Sequence, residues 1–516
     1  ELMQAFREFK SIWDPDWKMN PGKLIEAYRM DENLRLGPDY HPWSPPTHFL
    51  YPDDHGSLAH ANLRCVGVGK CRRTEGGLMC PSYRVTHEEE HSTRGRAHLL
   101  WEMTKGDLLT DGWHNEHVKD SLDLCLSCKG CKSDCPVGVD VATYKAEFLS
   151  HYYETRRRPL NAYAFGNIDL WSRMASFAPG FVNLTTQLPF LSNIVKTIAG
   201  VPKERRIPAF APQTFKAWFR KRKVPNAGAH PVILWADTFN NYFSPKTAIA
   251  AVDVLEAAGF EVLVLREALC CGRPLYDFGM LARAKELLLQ ILDALAPYVQ
   301  AGVPIVSLEP SCAAVFRDEL RNLFPKDERA QMVARQTYLL SEFLEICAPD
   351  FRLPQLKRKA VVHGHCHHKA VMGMGNEEAV LRKMGIDFQA PAPGCCGMAG
   401  PFGFEADKYE VSVAIGELEL LPAIRKAEPD SLIIANGFSC REQINQCTER
   451  HALHLAEVLQ MALHKGVGGV DGAYPERELV AQRSTAIQRS MMKAGVSLAA
   501  AVAGVGLLWA RGRRDS

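Results

Sequence analysis

Four cysteines around residue 130 have the spacing of metal ligands. They form the run Cys125-Leu-Ser-Cys128-Lys-Gly-Cys131-Lys-Ser-Asp-Cys135, and Pro136 follows directly. The two-residue spacers allow one loop to present three thiolates to a single cube of four irons and four sulfides, while the proline turn carries the fourth away. Soft thiolates select iron–sulfur clusters or zinc, and this three-plus-one arrangement favours the cluster. A structural zinc site is the alternative.

Three cysteines upstream form a second, less regular motif. Their spacing is C-x5-C-x8-C-P, and they are Cys65, Cys71 and Cys80. In chains with two clusters the last cysteine of each motif ligates the other cluster, so we expect Cys80 to complete the first cluster and Cys135 to complete the second. The second cluster is then one thiolate short. Three explanations remain possible: the second cluster has only three irons, a non-cysteine group such as a histidine is its fourth ligand, or there is no second cluster. With one cluster only, Cys135 becomes its fourth ligand.

A third group of cysteines lies towards the end of the chain. Each member falls where an apolar run ends or a helical pattern begins: Cys366, Cys395, Cys396 and Cys440. Such positions meet at the edge of an α/β sheet where ligands usually bind, and adjacent cysteines do not easily form a disulfide with each other. A cluster or other metal is one interpretation, and a structural group is the other. We expect His363, His365 and His367 to be a hydrogen-bonded histidine group and not ligands.

An internal duplication relates this third group to an earlier one. Cys270-Cys271-Gly272 matches Cys395-Cys396-Gly397 at an offset of 125, and Cys312 matches Cys440 at an offset of 128. Thr238 stands where the second copy has Cys366. The first copy therefore lacks one ligand and is expected to be structural or part of an interface between subunits. Cys347 and Cys447 lie outside both motifs and are expected to be ordinary buried thiols.

The elements that position these cysteines change along the chain. Between Cys65 and about His151, cysteine loops alternate with polar helical stretches, which predicts a small, mainly helical domain. From Pro231 onward, short apolar runs such as VILWA, EVLVL and PIVSL alternate with amphipathic helices, a pattern typical of parallel α/β sheets. The same order recurs after Lys359. The predicted fold is multidomain α+β, with a ferredoxin-type helical domain followed by two duplicated α/β domains.

Turn signals and composition shifts divide the chain into six segments. We place them at 1–36 (opening segment), 37–155 (ferredoxin-type iron–sulfur domain), 156–228 (connector), 229–352 (first α/β repeat), 353–466 (second α/β repeat) and 467–516 (C-terminal tail with an apolar helix).

The bulk composition narrows the range of partners and locations. A formal net charge of +2 with no long basic run argues against nucleic acid. Tightly grouped cysteines without a secretory segment indicate a reducing compartment, hence the cytoplasm. The apolar run 494–510, followed by Arg511, is short for a bilayer core that needs about 20 helical residues. Two interpretations of this run remain. It associates with or anchors in an inner membrane, or it forms a helix that is buried or packed against a partner.

The paired-cysteine repeats resemble the cysteine-rich, or CCG, domains of the iron–sulfur subunits of glycolate oxidase, anaerobic glycerol-3-phosphate dehydrogenase and heterodisulfide reductase. The opening segment WDPDWKMNPGK is similar to the end of FAD-linked oxidase domains. Together with CRRTEGGLMCPSYRVTHEEEHSTRGRA, it resembles the bacterial fusion proteins that join an FAD-linked D-2-hydroxyacid dehydrogenase, of the D-2-hydroxyglutarate type, to an iron–sulfur C-terminal half. Neither repeat has the five-cysteine set of heterodisulfide reductase.

This resemblance implies an electron-transfer role. A 2-hydroxy acid would be oxidised at FAD in a separate flavin-containing domain or subunit, and electrons would pass through 4Fe–4S clusters to an acceptor such as a quinone. No Gly-rich dinucleotide loop or catalytic constellation is assigned in this sequence, so FAD binding is expected elsewhere. A thiol- or cluster-based reductase subunit and a structural zinc scaffold are the alternatives. Association into a homo-oligomer stays open.

Overall fold

The computed structural model describes residues 1–512 except 33, 35, 38, 39, 224, 393 and 471, with side chains described as far as residue 501. The described residues are mostly helical and include two small sheets whose strands are all parallel. The expected order, a helical cysteine-rich region followed by α/β elements, is confirmed.

The opening segment forms one amphipathic helix, α1 (Leu2–Trp13). The helix ends at Asp14, whose carboxylate accepts hydrogen bonds from the backbone N–H groups of Lys18 and Met19 and so fixes the following turn. Its large apolar side chains, Phe9 and Trp13 among them, are exposed.

The cysteine-rich region is built from short helices around one apolar core. These helices are α2 (Leu58–Leu63), α3 (Pro81–Thr86), α4 (Thr93–Lys105), α5 (Glu116–Asp123), α6 (Gly130–Asp134) and α7 (Val141–Tyr152). Side chains of Ser92, Asn115 and Asp140 cap α4, α5 and α7 by accepting hydrogen bonds from backbone N–H groups. Each cap starts a helix just after a loop, so cysteine loops and helix N-termini come together.

The segment predicted as a connector is mostly helical. It contains α8 (Leu160–Gly166), α9 (Ile168–Ala175), α10 (Pro179–Gln187), α11 (Pro189–Ala199) and α12 (Phe215–Phe219). Proline at the first position of α10 and α11 favours a helix start, because its missing N–H has no partner there anyway.

The first α/β repeat surrounds a four-stranded parallel sheet of order β2-β1-β3-β4. Its elements are β1 (Pro231–Trp235), α13 (Thr238–Tyr242), α14 (Pro245–Ala257), β2 (Glu261–Leu263), α15 (Arg273–Asp277), α16 (Leu281–Gln300), β3 (Ile305–Ser307), α17 (Pro310–Ala314), α18 (Leu320–Leu323), α19 (Glu328–Gln336), β4 (Thr337–Leu339) and α20 (Leu340–Ile346). A π-helical turn, Val315–Glu319, joins α17 to α18. Leu234 pairs with Val306, which pairs in turn with Tyr338.

The second α/β repeat has a three-stranded parallel sheet of order β6-β5-β7. Its elements are β5 (Lys359–His363), α21 (Gly375–Lys383), β6 (Asp387–Gln389), α22 (Tyr409–Leu418), α23 (Leu420–Lys426), β7 (Leu432–Ala435), α24 (Phe438–Cys447) and α25 (Leu455–Lys465). A single apolar core joins α14 of the first repeat to α25 of the second. The two repeats therefore pack directly on each other.

The last helix of the described residues is long, α26 (Arg477–Gly512), and it packs against α10. The second part of the apolar run 494–510 lies outside the residues whose side chains the structure describes. Within the part of the chain that is described, no helix has both the length and the apolar character needed to span a bilayer.

Candidate metal centres

The loop that carries Cys125, Cys128 and Cys131 has an unusual backbone. Ser127 and Lys129 both adopt positive φ angles, 50° and 60°, which are rare for residues with side chains. A Cβ on Gly130 would lie 3.0 Å from the main chain of Leu78, so glycine allows the two cysteine-bearing loops to approach. The loop is therefore wound tightly around its three sulfur atoms, and all three thiols are buried.

Two of the buried thiols lie at helix N-termini. The Sγ of Cys131 accepts hydrogen bonds from the backbone N–H groups of Val141 and Ala142 at the start of α7. The Sγ of Cys80 lies 2.9 Å from the backbone nitrogen of Thr93 at the start of α4. Helix N-termini and their free N–H groups stabilise negative charge, as a thiolate-ligated cluster requires.

Positive side chains surround the same thiols. Arg96 is buried and close enough to Cys80 to favour its thiolate, although a hydrogen bond with Cys71 and burial raise the pKa of the Cys80 thiol. Lys145 is also buried, and its Nζ donates to the main-chain oxygen of Cys125 at 2.6 Å. Cys131 lies close enough to Cys80 for the two thiols to interact electrostatically. Cys128 interacts in the same way with Cys131 and with Cys125. The four thiols of the first predicted cluster therefore lie together.

Two of the three cysteines of the site that lacks one thiolate are more exposed. Cys65 and Cys135 are half-buried, whereas Cys71 is buried and accepts from the backbone nitrogen of Arg94 at 3.4 Å. A hydrogen bond from Cys80 lowers the pKa of Cys71 to about 6. Cys80 thus lies between the two predicted sites.

A cavity of about 330 Å³ opens beside Cys65. Glu89, Arg94 and His98 line it, so charged and imidazole groups are present where the fourth thiolate is missing. The positive charge of Arg94 faces both Cys65 and Cys71.

In the second α/β repeat, the structure brings together the four cysteines of the third group. Cys366 follows β5, Cys395 and Cys396 follow β6, and Cys440 lies in the first turn of α24 after β7. The carboxyl ends of parallel strands share one edge of a sheet, so three loops converge there. Gly397 is required beside this pair, because its φ is +86° and a Cβ would lie 2.0 Å from the main-chain oxygen of Ser412.

These four thiols form a continuous buried chain. Hydrogen bonds join Cys366 to Cys395, Cys395 to Cys396 and Cys396 to Cys440. Hydrogen bonds from Cys395 lower the pKa of Cys366 and of Cys396 well below the usual thiol range. The same chain of hydrogen bonds, together with burial, raises the pKa of Cys395 and of Cys440 well above that range. Low thiol pKa values are typical of metal ligands and reactive thiols.

The histidines around Cys366 differ from the sequence expectation. The ligand atoms of His363, Cys396 and Cys440 lie within 4.8 Å of one another, and so do those of His365, Cys366 and His367. Among the described residues, Nδ1 of His367 has no hydrogen-bond partner. The expectation of a fully hydrogen-bonded histidine group is therefore wrong for His367, and also for His363, whose Nε2 has no hydrogen-bond partner among the described residues. The alternation H-x-H-C-H at the end of a strand was the available signal, since it places imidazoles on the same edge as the thiols.

The first repeat has the same arrangement of cysteines as the second, except that Thr238 replaces one of the four thiols. The Sγ atoms of Cys271 and Cys312 are 3.0 Å apart, and the Thr238 hydroxyl lies 3.4 Å from the Sγ of Cys270. Thr238 therefore occupies the position that the offset predicted. Cys347 and Cys447, expected to be buried, are only half-buried.

The loop with Cys125, Cys128 and Cys131, here called the cysteine array, is in contact with the second α/β repeat. Cys366 lies close enough to Cys128 for its charge to raise the pKa of the Cys128 thiol, and both residues belong to one apolar cluster. The main-chain oxygen of Ser127 accepts hydrogen bonds from Arg273, at 3.2 Å, and from His367, at 3.0 Å. Arg273 lies two residues after Cys271, and His367 comes directly after Cys366. Each repeat therefore contacts the array through one residue of its own cysteine loop.

A buried lysine joins the array to the first repeat. Lys129 is 1% exposed, and its Nζ lies 2.8 Å from Asp318, 3.0 Å from Asp140 and 3.4 Å from Glu319. Its burial is therefore compensated by three carboxylates, of which Asp140 and Asp318 also pair with Lys132, and Glu319 also pairs with Arg273.

Comparison with known protein families agrees with this geometry. Residues 61–139 match the model of a 4Fe–4S dicluster domain, and residues 237–317 match that of a cysteine-rich domain, CCG. The class is thus an iron–sulfur protein with a dicluster domain followed by a CCG domain. The buried thiols at helix N-termini fit 4Fe–4S clusters, because they offer thiolate ligands, N–H donors and nearby positive charge.

Individual relatives confirm the resemblance to the iron–sulfur parts of dehydrogenases. The D-2-hydroxyglutarate dehydrogenase of Pseudomonas putida is 25% identical over 89% of this chain and 49% of its own length. One of the subunits of the anaerobic glycerol-3-phosphate dehydrogenase of Escherichia coli is 26% identical, over 69% of this chain and 89% of the relative. The glycolate oxidase iron–sulfur subunit of Escherichia coli is 24% identical, over 78% of this chain and 94% of the relative. The chain spans about half the length of the D-2-hydroxyglutarate dehydrogenases that it matches.

Proposed function

We propose that this chain is the iron–sulfur electron-transfer module of an FAD-linked 2-hydroxyacid dehydrogenase. Electrons from a flavin in a separate domain or subunit pass through its clusters to an acceptor such as a quinone. The observation that carries the proposal is the contact between the dicluster domain and the second α/β repeat, where Cys128 lies beside Cys366. Two candidate redox sites in contact give electrons a continuous route through the protein.

The ligand assignment follows from the grouping of the thiols. One cluster is held by Cys80, Cys125, Cys128 and Cys131, and a second by Cys65, Cys71 and Cys135 with a non-cysteine group or as a three-iron cluster. Residues 353–466 form a second CCG domain beside the one at 229–352. Its own metal would be held by Cys366, Cys395, Cys396 and Cys440, with His363 in reach of the last two.

The opening helix supports a flavin-containing partner. The apolar side chains of α1, including Phe9 at 64% and Trp13 at 71% exposure, have no cover within the described residues. Exposed apolar surface of this kind marks an interaction site. Residues 1–36 would belong to the end of the flavin-containing domain and pack against it.

A structural zinc site in the second repeat is a second candidate function for that group alone. Nitrogen and sulfur atoms of His363, Cys396 and Cys440 lie within 4.8 Å of one another, a spacing that suits a tetrahedral zinc ion. A zinc ion would make this repeat a scaffold and end the electron route at the dicluster domain.

Metal analysis and EPR of the anaerobically purified chain test both proposals. We expect iron and labile sulfide in the wild type, a cubane signal after dithionite reduction, and loss of that signal in Cys131→Ser. Cys347→Ser, a half-buried thiol outside the motifs, is the matched control and should keep the signal. A colourless, iron-free wild type would overturn the electron-transfer proposal, whereas zinc in stoichiometric amount that is lost in Cys440→Ser would support the scaffold.

A further inference from the structure

An apolar cavity of about 250 Å³ lies between the two α/β repeats and the helical connector. Its wall is formed largely by aromatic and small side chains, among them Ala164, Phe165, Ala199, Phe239, Phe404 and Phe438. An apolar cavity of about 150 Å³ already accommodates a benzene ring. The space therefore suits one substituted six-membered ring.

The cavity lies beside the cysteine loops of both repeats. Pro274 lies three residues after Cys271, and Ser439, which precedes Cys440, also lines the wall. The rings of Phe239 and Phe438, one from each repeat, stack with centroids 4.6 Å apart. A planar ring in this space would have an aromatic surface to pack on and the candidate metal site of the second repeat beside it.

The wall of the cavity contains few polar side chains, and these could bind the polar atoms of a ring. The hydroxyl of Ser439 accepts a hydrogen bond from the backbone nitrogen of Gly400 at 3.1 Å, and a hydroxyl that accepts can still donate its proton. Glu442 and Thr186 also reach the wall. A mostly apolar pocket with a few polar groups is the usual form of a small-molecule site.

We propose that this cavity binds the ring of a lipid-soluble quinone, an inference that rests on the proposed electron-transfer function and adds the site of the acceptor. The bound quinone takes two electrons, one at a time from the iron–sulfur sites, and two protons from solvent to become a quinol. The ring packs on Phe438, and a carbonyl oxygen accepts a hydrogen bond from Ser439.

Binding of decylubiquinone and menadione to the anaerobic, iron-loaded full chain tests this site. Ala164→Phe and Ala199→Phe fill the cavity from two different helices and should each weaken binding at least tenfold. Ala301→Phe, an exposed alanine after α16, is the control and should bind as the wild type does. Unchanged iron content and EPR in each variant show that the fold is intact.

The outcomes separate this inference from the proposed function. An iron-loaded chain that binds neither quinone, or a filled cavity that binds with wild-type affinity, overturns the quinone site and leaves the electron-transfer role standing. An iron-free chain overturns the role itself.

A different observation concerns the outer side of the same connector. Helices α8–α11 show an inverted pattern, in which small or polar residues such as Ser172, Asn183 and Ser192 are buried and large apolar residues are exposed. The exposed set, which we call the apolar face, is Leu160, Tyr163, Leu170, Trp171, Met174, Phe177, Phe181, Leu188, Phe190, Leu191, Ile194 and Ile198. Phe177 is 90% exposed and Phe190 is 76% exposed.

The charge of this segment is as unusual as its apolar face. Residues 156–223 contain thirteen Lys and Arg side chains against two acidic ones, whereas the whole chain carries a net charge of only +2. Exposed basic residues include Arg157, Lys203 and Arg206. Apolar side chains with Trp and Phe on one side and a surplus of Lys and Arg are the features of helices that lie in a membrane interface.

We infer that the apolar face of α8–α11 lies on a bilayer that contains anionic lipids. Helix α26 packs closely against α10 beside this face, since a Cβ on Gly180 would lie 3.0 Å from the Cβ of Ala494. The exposed side chains enter the interfacial layer, and the basic residues pair with lipid phosphates.

Sedimentation of the full chain with lipid vesicles tests the apolar face. The wild type should bind phosphatidylglycerol vesicles more tightly than phosphatidylcholine vesicles, and less tightly as salt rises. The double change Phe177→Glu with Phe190→Glu should reduce binding at least tenfold, whereas Leu108→Glu, 76% exposed in the dicluster domain, should not. Wild-type binding by the double variant overturns the inference, and so does failure of the wild type to bind anionic vesicles.

Discussion

His367 donates a hydrogen bond from Nε2 to the main-chain oxygen of Ser127 across 3.0 Å, and thereby joins residues 240 positions apart in the chain. Ser127 lies between two array cysteines, and His367 is next to Cys366. Arg273 reaches the same oxygen from the first repeat. Both α/β repeats therefore hold the strained loop of the cysteine array, so the distance between candidate redox sites is fixed by direct contacts.

This junction should contribute to stability. We expect His367→Ala to destabilise the protein by about 1–2 kcal/mol, because one buried hydrogen bond is lost and a small cavity is left. His367→Gln, which retains a donor, should recover part of the loss. Thermal unfolding of the iron-loaded protein measures the effect, and His464→Ala at the surface is the control. An unchanged midpoint for His367→Ala would show that the contact carries no stability.

Much of the candidate site follows from the sequence alone. The spacing C-x2-C-x2-C-x3-C-P predicted the array, and apolar runs followed by cysteines placed the second repeat's thiols at strand ends. Both signals are local, since spacing and periodicity are set by residues close in the chain. Repeat offsets also placed Thr238 correctly beside Cys270.

The rest depends on contacts between distant segments. Nothing near Cys128 in the sequence indicates that Cys366 lies beside it. The helical connector was not predicted in detail, because its outward apolar and inward polar residues invert the pattern used to orient a helix in water. His367 was assigned to a satisfied group because hydrogen-bond partners cannot be read from one sequence.

Gly397 should control the second cysteine site without being a ligand. Gly397→Ala would place a Cβ 2.0 Å from a main-chain oxygen at a φ of +86°, so the cysteine loop has to move. We expect this variant to lose any metal of the second repeat and to keep the cubane EPR signal of the array. Gly106→Ala, at the end of α4, has a similar φ of +79° with a ψ of 9° and no atom within 4 Å, so only a strain of about 1 kcal/mol is expected. Equal metal content in the two variants would contradict the packing argument.

Arg96 should tune the array's cluster. Its buried guanidinium donates to Ser82 and to the main-chain oxygen of Ser121, and its charge faces Cys80. Arg96→Met removes a positive charge that favours the reduced cluster, so the reduction potential should fall by roughly 50–100 mV, equivalent to ~1–2 kcal/mol for one electron. Arg96→Lys keeps the charge and should shift less. An EPR-monitored redox titration gives both values, and equal potentials in the two variants would exclude a charge effect.

Acid should weaken the protein through Glu319. Burial raises the pKa of this carboxyl, but Lys129 and Arg273 outweigh burial and lower the pKa to about 2. The folded-state value lies below the usual 4.5, so the stabilisation is complete above about pH 5 and is lost as the pH falls towards 2. The shift corresponds to about 3 kcal/mol at neutral pH. Glu319→Gln should therefore be less stable than the wild type at pH 7, and the gap should narrow between pH 5 and pH 3. Circular dichroism during urea unfolding measures the gap at each pH, with the exposed Glu328→Gln as a control that should show none. A gap that stays constant over this range would mean that the Glu319 ion pairs do not contribute to acid sensitivity.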